Sequence, residues 1–211
     1  MPVYDGLAGE YDEHYRRPVD LWEDEWLAEQ LGPYVRGRDV LDLGCGTGWV
    51  LDHLEPRFYC GMDESPAMLA ELVRKHPDAL VHKASVDQPG WELEVPRVWE
   101  TVVSTWAADY FDLIRLLPAL VPLVVPGGTI ALHGNQPRGQ RRRHTIDPDS
   151  ERYPFTLEEV RAAGKVAGLP PPLTIGTGAL PDWLAYSRRL WRAALQAPVR
   201  WHVAMVCIWH P

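Results

Sequence analysis

Three closely spaced glycines follow a short apolar stretch near residue 40. The segment Asp39–Leu43 is typical of a buried strand, and Gly44, Gly46 and Gly48 follow it in the pattern G-x-G-x-G. Glycine tolerates positive φ angles and allows the backbone to approach another group where a Cβ would clash. In open α/β sheets, ligands bind at the carboxyl ends of the strands, where such a turn presents main-chain N–H groups. The spacing therefore predicts a ligand-binding turn.

The residue after the third glycine distinguishes two kinds of ligand, a dinucleotide and S-adenosylmethionine (SAM). A dinucleotide fingerprint, G-x-G-x-x-G/A, ends in a small residue that lets the helix pack closely against the strand at the pyrophosphate. Trp49 occupies that position in this chain. Because a tryptophan would block the close packing, the pattern favours SAM, and a nicotinamide-dependent oxidoreductase remains the alternative.

A carboxylate at the end of the next predicted strand could complete the site. Asp63 stands 19 residues after Gly44, directly after the apolar stretch from Phe58 to Met62. A carboxylate there can accept hydrogen bonds from both hydroxyls of a ribose. Both candidate ligands contain a ribose, so Asp63 does not separate them. The simpler interpretation is a favourable charge near the start of a helix that begins at Pro66.

The composition restricts the class of protein. The chain has 211 residues, of which 46% are hydrophobic, and a formal net charge of −8 at pH 7. This length predicts a single domain over residues 1–211. Nucleic-acid binding depends on Lys and Arg neutralising phosphates, so the acidic balance argues against a nucleic-acid partner. No apolar run reaches about eighteen residues, so we expect no membrane span.

The first residues and the cysteines bear on compartment and metal binding. Met-Pro-Val-Tyr-Asp-Gly lacks the basic start and apolar segment of a signal peptide, which predicts a cytoplasmic location. The three cysteines have no metal-ligand spacing and are interpreted as small buried thiols. We therefore expect no metal site.

Helical and loop signals suggest two segments that cover the site. Residues from about 1 to 32 are interpreted as an amino-terminal lid, and residues from about 177 to 197 as a helical insertion. Within the lid, Asp20 with Glu23 resembles a capping box that starts a helix, which Gly32-Pro33 would end.

The remainder of the chain alternates between strand and helix signals. Seven predicted strands alternate with helices, which indicates a doubly wound α/β sheet. Pro126-Gly127-Gly128 is interpreted as a turn, with the fifth strand following it from Thr129 to His133.

Four segments between residues 4 and 135 resemble motifs of the class I SAM-dependent methyltransferases. The first matches that family's glycine-rich motif, the second its ribose-binding segment, the third its turn before strand five. The fourth resembles the amino-terminal Y-D-x-x-A-x-x-Y-D of many small-molecule members. These segments are Val40–Gly48, Tyr59–Leu69, Val124–Thr129, and Tyr4-Asp5 with Ala8 and Tyr11-Asp12.

The resemblance implies a fold and a cofactor site. The fold is a Rossmann-like, seven-stranded, mostly parallel sheet of order 3-2-1-4-5-7-6 with the last strand antiparallel, and the cofactor is SAM. Asp63 would bind the ribose hydroxyls, and Ser85 with Asp87 the adenine, although many members place an acid where Ala84 or Ser85 falls. The implied cofactor-binding residues are Tyr11, Asp42, Gly44, Cys45, Gly46, Gly48, Asp63, Glu64, Met68, Ser85, Asp87 and Ser104.

The acceptor of the methyl group is expected to be a small molecule, methylated on oxygen or nitrogen. The fourth strand ends in Ser104-Thr105-Trp106 instead of the Asn/Asp-Pro-Pro-aromatic signature of amino-methylating DNA enzymes. Trp106 and Tyr15 are candidates for the acceptor pocket, and Arg141 and Arg143 could clamp an anionic group on the acceptor. An RNA or protein methyltransferase, or a SAM-binding protein without catalysis, is the alternative.

Catalysis is expected to need little acid–base chemistry. The sulfonium is already activated, so in-line placement of the nucleophile can supply most of the rate. A base is needed only where the acceptor must lose a proton. The candidates are His133, His144, Asp109 and Tyr110, each of which also has a simpler role in packing, capping or solvation.

Overall fold

The computed structural model describes residues 3–95, 97–137, 152–177, 195 and 204–211. These residues form a seven-stranded sheet of order β3-β2-β1-β4-β5-β7-β6. Strands β1 to β5 pair in parallel, and β7 runs antiparallel between β5 and β6. The predicted order and the antiparallel last strand are confirmed. The strands are β1 (Asp39–Leu43), β2 (Phe58–Asp63), β3 (Leu80–Lys83), β4 (Trp99–Ser104), β5 (Val124–Asn135), β6 (Leu173–Thr177) and β7 (Ala204–Trp209).

Apolar residues on both faces of the central strands explain why helices cover the sheet on two sides. Successive side chains of a strand point to opposite faces. In β1, Leu41 and Leu43 belong to one buried cluster, whereas Val40 belongs to the other. In β4, Val102 and Val103 divide between the same two clusters. A strand buried on both faces gives a nearly continuous apolar run, which is the pattern that the sequence showed.

Six described helices connect or flank these strands. The helix that follows β2 begins as predicted, because the Ser65 Oγ accepts a hydrogen bond from the Met68 N–H at 3.2 Å and Pro66 occupies the first helical position. The helices are α1 (Tyr11–His14), α2 (Pro18–Val35), α3 (Trp49–His53), α4 (Pro66–Lys75), α5 (Leu113–Leu120) and α6 (Leu157–Val166).

The predicted start of α2 is wrong. The helix begins at Pro18, where a proline fits the first turn, and its N-cap residue is Arg17. Asp20 is the third helical residue, and its Oδ2 accepts a hydrogen bond from the Arg17 N–H at 3.1 Å. It also pairs with the Arg17 guanidinium at 2.8 Å. Asp20 therefore caps the start of α2 from the third helical position, and is not itself the N-cap residue.

The predicted end of α2 is also too early. The helix continues past Pro33 to Val35, and the Arg36 N–H bonds to the Gly32 carbonyl. A proline near the end of a helix removes one main-chain hydrogen bond, and the following residues remain helical because packing holds them. Val35 is fully buried in the core.

The fifth strand begins earlier than predicted. Val124 already pairs with Trp99, and Thr129 pairs with Thr101, so β5 carries extra residues between the two pairs. Gly127 has a φ of 76°, which fits a bulge within the strand better than a turn before it.

Other expectations have mixed outcomes. All three cysteines are buried and unpaired, as predicted. No helix in the described ranges is long and apolar enough to cross a membrane. Apart from Thr177 in β6 and Leu195, the predicted helical insertion of residues 177–197 lies outside the described residues.

The capping of α2 can be tested with two alanine variants. Asp20→Ala is expected to lower the free energy of unfolding by about 1 kcal/mol, because the N–H of the N-cap residue Arg17 loses its acceptor. Glu29→Ala, on an exposed carboxylate of the same helix, is the matched control and is expected to change it by less than about 0.5 kcal/mol. Denaturant unfolding of both variants measures the difference, and equal losses would contradict the assignment.

Candidate functional site

The glycine turn after β1 has the backbone that only glycine adopts readily. Gly44, Gly46 and Gly48 have φ angles of 66°, 52° and 98°. A Cβ added to Gly44 would lie 2.7 Å from the Cβ of Ala107, so the turn and the segment after β4 approach closely. The N–H groups of Gly44 and Cys45 both donate to the Met62 carbonyl, at 2.8 and 3.0 Å. These bonds fix the turn against the end of β2.

Asp63 joins this turn to the next helix. Its Oδ2 accepts a hydrogen bond from the Gly46 N–H and its Oδ1 one from the Ser65 N–H, both at 2.9 Å. Burial raises the pKa of Asp63, and the hydrogen bonds from Ser65 and Gly46 oppose that rise without cancelling it. A carboxylate has about four lone-pair sites. The two main-chain bonds therefore hold the carboxylate rigidly and leave acceptor capacity toward the cavity.

A cavity of about 320 Å³ lies at the carboxyl ends of β1 to β4. That volume is within the range of small-molecule sites, roughly 300–1,000 Å³. The structure brings eight of the twelve predicted cofactor-binding residues to its wall: Tyr11, Gly44, Gly46, Asp63, Glu64, Met68, Ser85 and Asp87.

The other four predicted cofactor-binding residues lie behind the wall or beside the cavity. Asp42 is fully buried in β1, where its Oδ2 accepts a hydrogen bond from the Tyr59 hydroxyl at 3.0 Å. Ser104 is also fully buried, and its Oγ has no hydrogen-bond partner among the described residues. Gly48 is the N-cap residue of α3, and Cys45 lines the adjoining cavity. The sequence did not reveal that these residues are not on the cavity wall, because a short motif does not specify which strand residues line the cavity.

Several lining residues were missed by the sequence analysis. Tyr4, on the amino-terminal arm, lines the same cavity as the glycine turn. The Tyr-Asp repeat was the signal for it, since Tyr11 repeats Tyr4 seven residues later. The other missed residues are small or apolar and carry no chemical signal: Ala84, Val86, Thr105, Ala107 and Phe111.

A second cavity, of about 440 Å³, adjoins the first and shares the glycine turn and Trp106 with it. Tyr15, a predicted acceptor-pocket residue, lines it. Carboxylates outnumber cations among its described lining residues, which are Asp12, Asp20, Glu23, Asp24 and Asp52 against Arg16 and Lys75. This lining is unfavourable for a polyanion.

The amino-terminal arm, residues 3–17, is tied across the first cavity by two aspartates. The Asp5 Oδ1 accepts a hydrogen bond from the Ser65 hydroxyl at 2.6 Å. The Asp12 carboxylate accepts one from the Thr47 hydroxyl at 2.6 Å and one from the Lys75 ammonium at 2.9 Å. Burial raises the pKa of Asp12, but the bonds from Lys75 and Thr47 outweigh it and lower the pKa overall. The tyrosine preceding each aspartate lines the cavity.

Trp106, at the end of β4, separates the two cavities. Its φ is 60°, a value that a bulky residue rarely adopts and that surrounding structure must hold. Its N–H donates to the Nδ1 of His133 at 3.3 Å, and the two rings meet edge to face with centroids 4.2 Å apart. His133 is fully buried, so it supports Trp106 from beneath and does not line either cavity.

The remaining predicted catalytic and acceptor-binding residues are distributed differently. Tyr110 lines the first cavity. Asp109 is fully buried behind that wall, where it pairs with Arg152 at 2.7 Å. Arg141, Arg143 and His144 lie outside the described residues. Within the described ranges, no group of three or more metal-ligating side chains could hold a metal ion.

Comparison with known proteins agrees with this geometry. Residues 40–128 match a family model described as a methyltransferase domain. A trans-aconitate 2-methyltransferase of Escherichia coli O1:K1 is 33% identical over 97 residues, which cover 44% of this chain and 37% of that protein. A trans-aconitate 2-methyltransferase of Methylobacterium nodulans is 30% identical over 145 residues, covering 66% and 48% of the two chains. The match thus spans less than half the length of either curated relative.

A solved structure extends the similarity over most of the fold. A SAM-dependent methyltransferase from Archaeoglobus fulgidus matches 95% of this chain and 98% of its own, with a TM-score of 0.69 and 17% identity. Residues 40–128 thus match a methyltransferase domain, and the described residues have the fold of the class I SAM-dependent methyltransferases.

The buried Asp42 predicts a pH-dependent stability. Burial raises its pKa to about 7, against the opposing bond from Tyr59. Between the ordinary pKa of 3.8 and about 7, the folded chain therefore binds more protons here than the unfolded chain, so the free energy of unfolding falls as pH rises. Asp42→Asn is expected to flatten that decline. Denaturant unfolding between about pH 4.5 and 8 measures the free energy of unfolding of both proteins. Identical pH slopes in the two proteins would contradict the raised pKa of Asp42.

Proposed function

We propose that this chain binds SAM in the first cavity and transfers its methyl group to a small-molecule acceptor. One observation carries the proposal. Asp63, fixed by two main-chain N–H groups, faces the same cavity as the glycine turn, Ser85 and Asp87. These groups suit the three parts of SAM: Asp63 the ribose diol, the glycine turn the methionyl chain, and Ser85 with Asp87 the adenine.

The residues present fit SAM on structural grounds. The glycine turn is a cradle in which a Cβ on Gly44 would collide with Ala107. The Asp63 carboxylate keeps acceptor sites for the ribose hydroxyls, and Ser85 and Asp87 stand at the end of β3 for the adenine. Bound SAM would supply an activated methyl group on a sulfonium.

The protein's part in catalysis is then chiefly to orient the reactants. Positioning a nucleophile in line with a reactive carbon can lower a barrier by several kcal/mol, up to about 7–11. Trp106 and Tyr110 provide aromatic surface on the acceptor side, where a π face favours a cationic sulfonium. Asp109 and His133 line neither cavity. Among the four base candidates, Tyr110 is the one with a place on the described wall.

Small-molecule acceptors are favoured over nucleic acid. The net charge of −8 and the excess of carboxylates around the second cavity both oppose a phosphate backbone. The two curated relatives are named for a small molecule, trans-aconitate. An RNA or protein substrate would depend on Arg138–Arg143, outside the described residues. The methyl group goes to an oxygen or a nitrogen atom of the small-molecule acceptor.

The ribose assignment can be tested on Asp63. Asp63→Ala is expected to weaken SAM binding by about 1.5–3 kcal/mol, roughly ten- to a hundredfold in Kd, because a hydrogen-bonded charged acceptor is lost. Asp78→Asn, on an exposed carboxylate, is the matched control and is expected to leave the Kd unchanged. Isothermal calorimetry gives both values, with thermal unfolding as a check on folding. A folded Asp63→Ala protein with wild-type affinity would sink the assignment.

Methyl transfer itself is tested by incubating the protein with methyl-labelled SAM. A metabolite panel, bulk tRNA and a cell protein extract are offered separately. Label in a small molecule is the expected result. Label found in RNA or protein alone would replace the small-molecule proposal, and SAM binding without transfer to any fraction would favour a non-catalytic role.

A further inference from the structure

A narrow recess lies beside the first cavity. The charge on its described lining is positive, whereas carboxylates outnumber cations around the second cavity. The described lining of the recess consists of four tyrosines, Trp106, Asn135 and Arg152. Arg152 alone among those described lining residues carries a formal charge. Tyr4, Tyr110 and Trp106 line both the recess and the first cavity, and Tyr15 and Trp106 line both the recess and the second, so the recess adjoins both cavities. The recess holds about 10 Å³, which is room for roughly one water-sized atom or group.

Arg152 is held firmly at the back of this recess. Its side chain is 9% exposed. One Nη donates to the Asp109 Oδ2 at 2.7 Å, and the other donates to the Tyr110 hydroxyl. The guanidinium also stacks over the Tyr110 ring, 4.1 Å from its centroid. These contacts fix the orientation of the cation without covering it on the recess side.

Asp109 holds the two polar residues of the recess that are not tyrosines, Arg152 and Asn135. Besides pairing with Arg152, its Oδ1 accepts a hydrogen bond from the Asn135 N–H at 3.0 Å. Its carbonyl accepts one from the Tyr153 N–H at 2.9 Å. Asp109 is fully buried and does not line the recess. A ligand in the recess would therefore meet the arginine and the amide, with the carboxylate behind them.

Stability alone does not account for this buried pair. A buried ion pair is commonly no more stabilising than a well-packed apolar pair, because both charges lose their hydration. Arginine has five N–H donors, and the Nε of Arg152 is buried with no partner among the described residues. A pre-oriented guanidinium with spare donors, beside tyrosine hydroxyls, is chemistry that recognises an acid oxygen.

We propose that the recess anchors a carboxylate of the methyl acceptor, with one of its oxygens at Arg152 and the remainder of the acceptor beside Trp106 and Tyr110. The anchored group orients the acceptor, and a different atom or the second oxygen faces the methyl donor. This inference rests on the proposed function and names the class of acceptor for the same site. Arg152 is the binding residue, and Asp109 is a positioning residue.

The test uses the whole chain saturated with S-adenosylhomocysteine for binding, and with methyl-labelled SAM for turnover. The probes are small mono-, di- and tricarboxylates and the carboxamides of the same skeletons. The carboxylates are expected to bind and to be methylated in preference to their amides. Arg152→Gln is expected to raise the Kd and KM of the carboxylates about tenfold or more, the scale for a lost charged hydrogen bond. The affinity for S-adenosylhomocysteine should be unchanged.

Two further variants keep the test decisive. Arg161→Gln removes an exposed arginine from α6 and is expected to leave all values unchanged. Arg152→Gln leaves the buried Asp109 carboxylate without its cation and can therefore prevent folding. If that variant does not fold, the double variant Asp109→Asn/Arg152→Gln, which removes both charges, takes its place. Loss of carboxylate preference in the folded double variant supports the inference.

The outcomes separate this inference from the function it rests on. A wild-type chain that binds neither SAM nor S-adenosylhomocysteine would remove the proposed function. A chain that binds them, yet neither binds nor methylates any carboxylate of the panel, overturns the recess alone. Folded Arg152 variants that retain full carboxylate preference overturn it as well.

Discussion

The site depends on one carboxylate that must be held at the meeting point of two strands and a helix. Asp63 ends β2, and its two oxygens accept hydrogen bonds from Gly46 in the turn after β1 and from Ser65 at the start of α4. Both donors are main-chain groups, so the geometry follows from the sheet register and from the positive φ of Gly46. The turn can approach this closely because Gly44 has no Cβ to meet Ala107.

The amino-terminal arm completes the site through the same elements. Asp5 bonds the Ser65 side chain, and Asp12 bonds Thr47 within the glycine turn. The arm is thus tied to the two segments that Asp63 already links, and its tyrosines become part of the cavity wall. At the far end of the wall, Tyr4 bonds Tyr110, which connects the arm to Arg152. The polar contacts of the arm thus reach from Ser65 at one side of the cavity to Tyr110, which also bonds Arg152, at the other.

The sequence predicted what depends on short-range patterns. The glycine spacing, the apolar strands and Asp63 are local features, and the resemblance to a known family supplied the strand order. The predicted helix start at Asp20 is wrong because Pro18 already begins the helix, and the predicted turn at Pro126-Gly127-Gly128 is a bulge within β5, although Pro-Gly-Gly is common in turns. The pair of Asp109 with Arg152 spans 43 residues. No local pattern reveals such a contact, and none reveals that Asp42 and Ser104 are buried and do not line the cavity.

The most direct measurement of the central claim is calorimetric titration of the wild-type chain with SAM and, separately, with NAD⁺. The account predicts saturable binding of SAM at one site per chain and no binding of NAD⁺, because Trp49 blocks the close packing that a pyrophosphate needs. Binding of NAD⁺ with SAM excluded, or binding of neither, would contradict it.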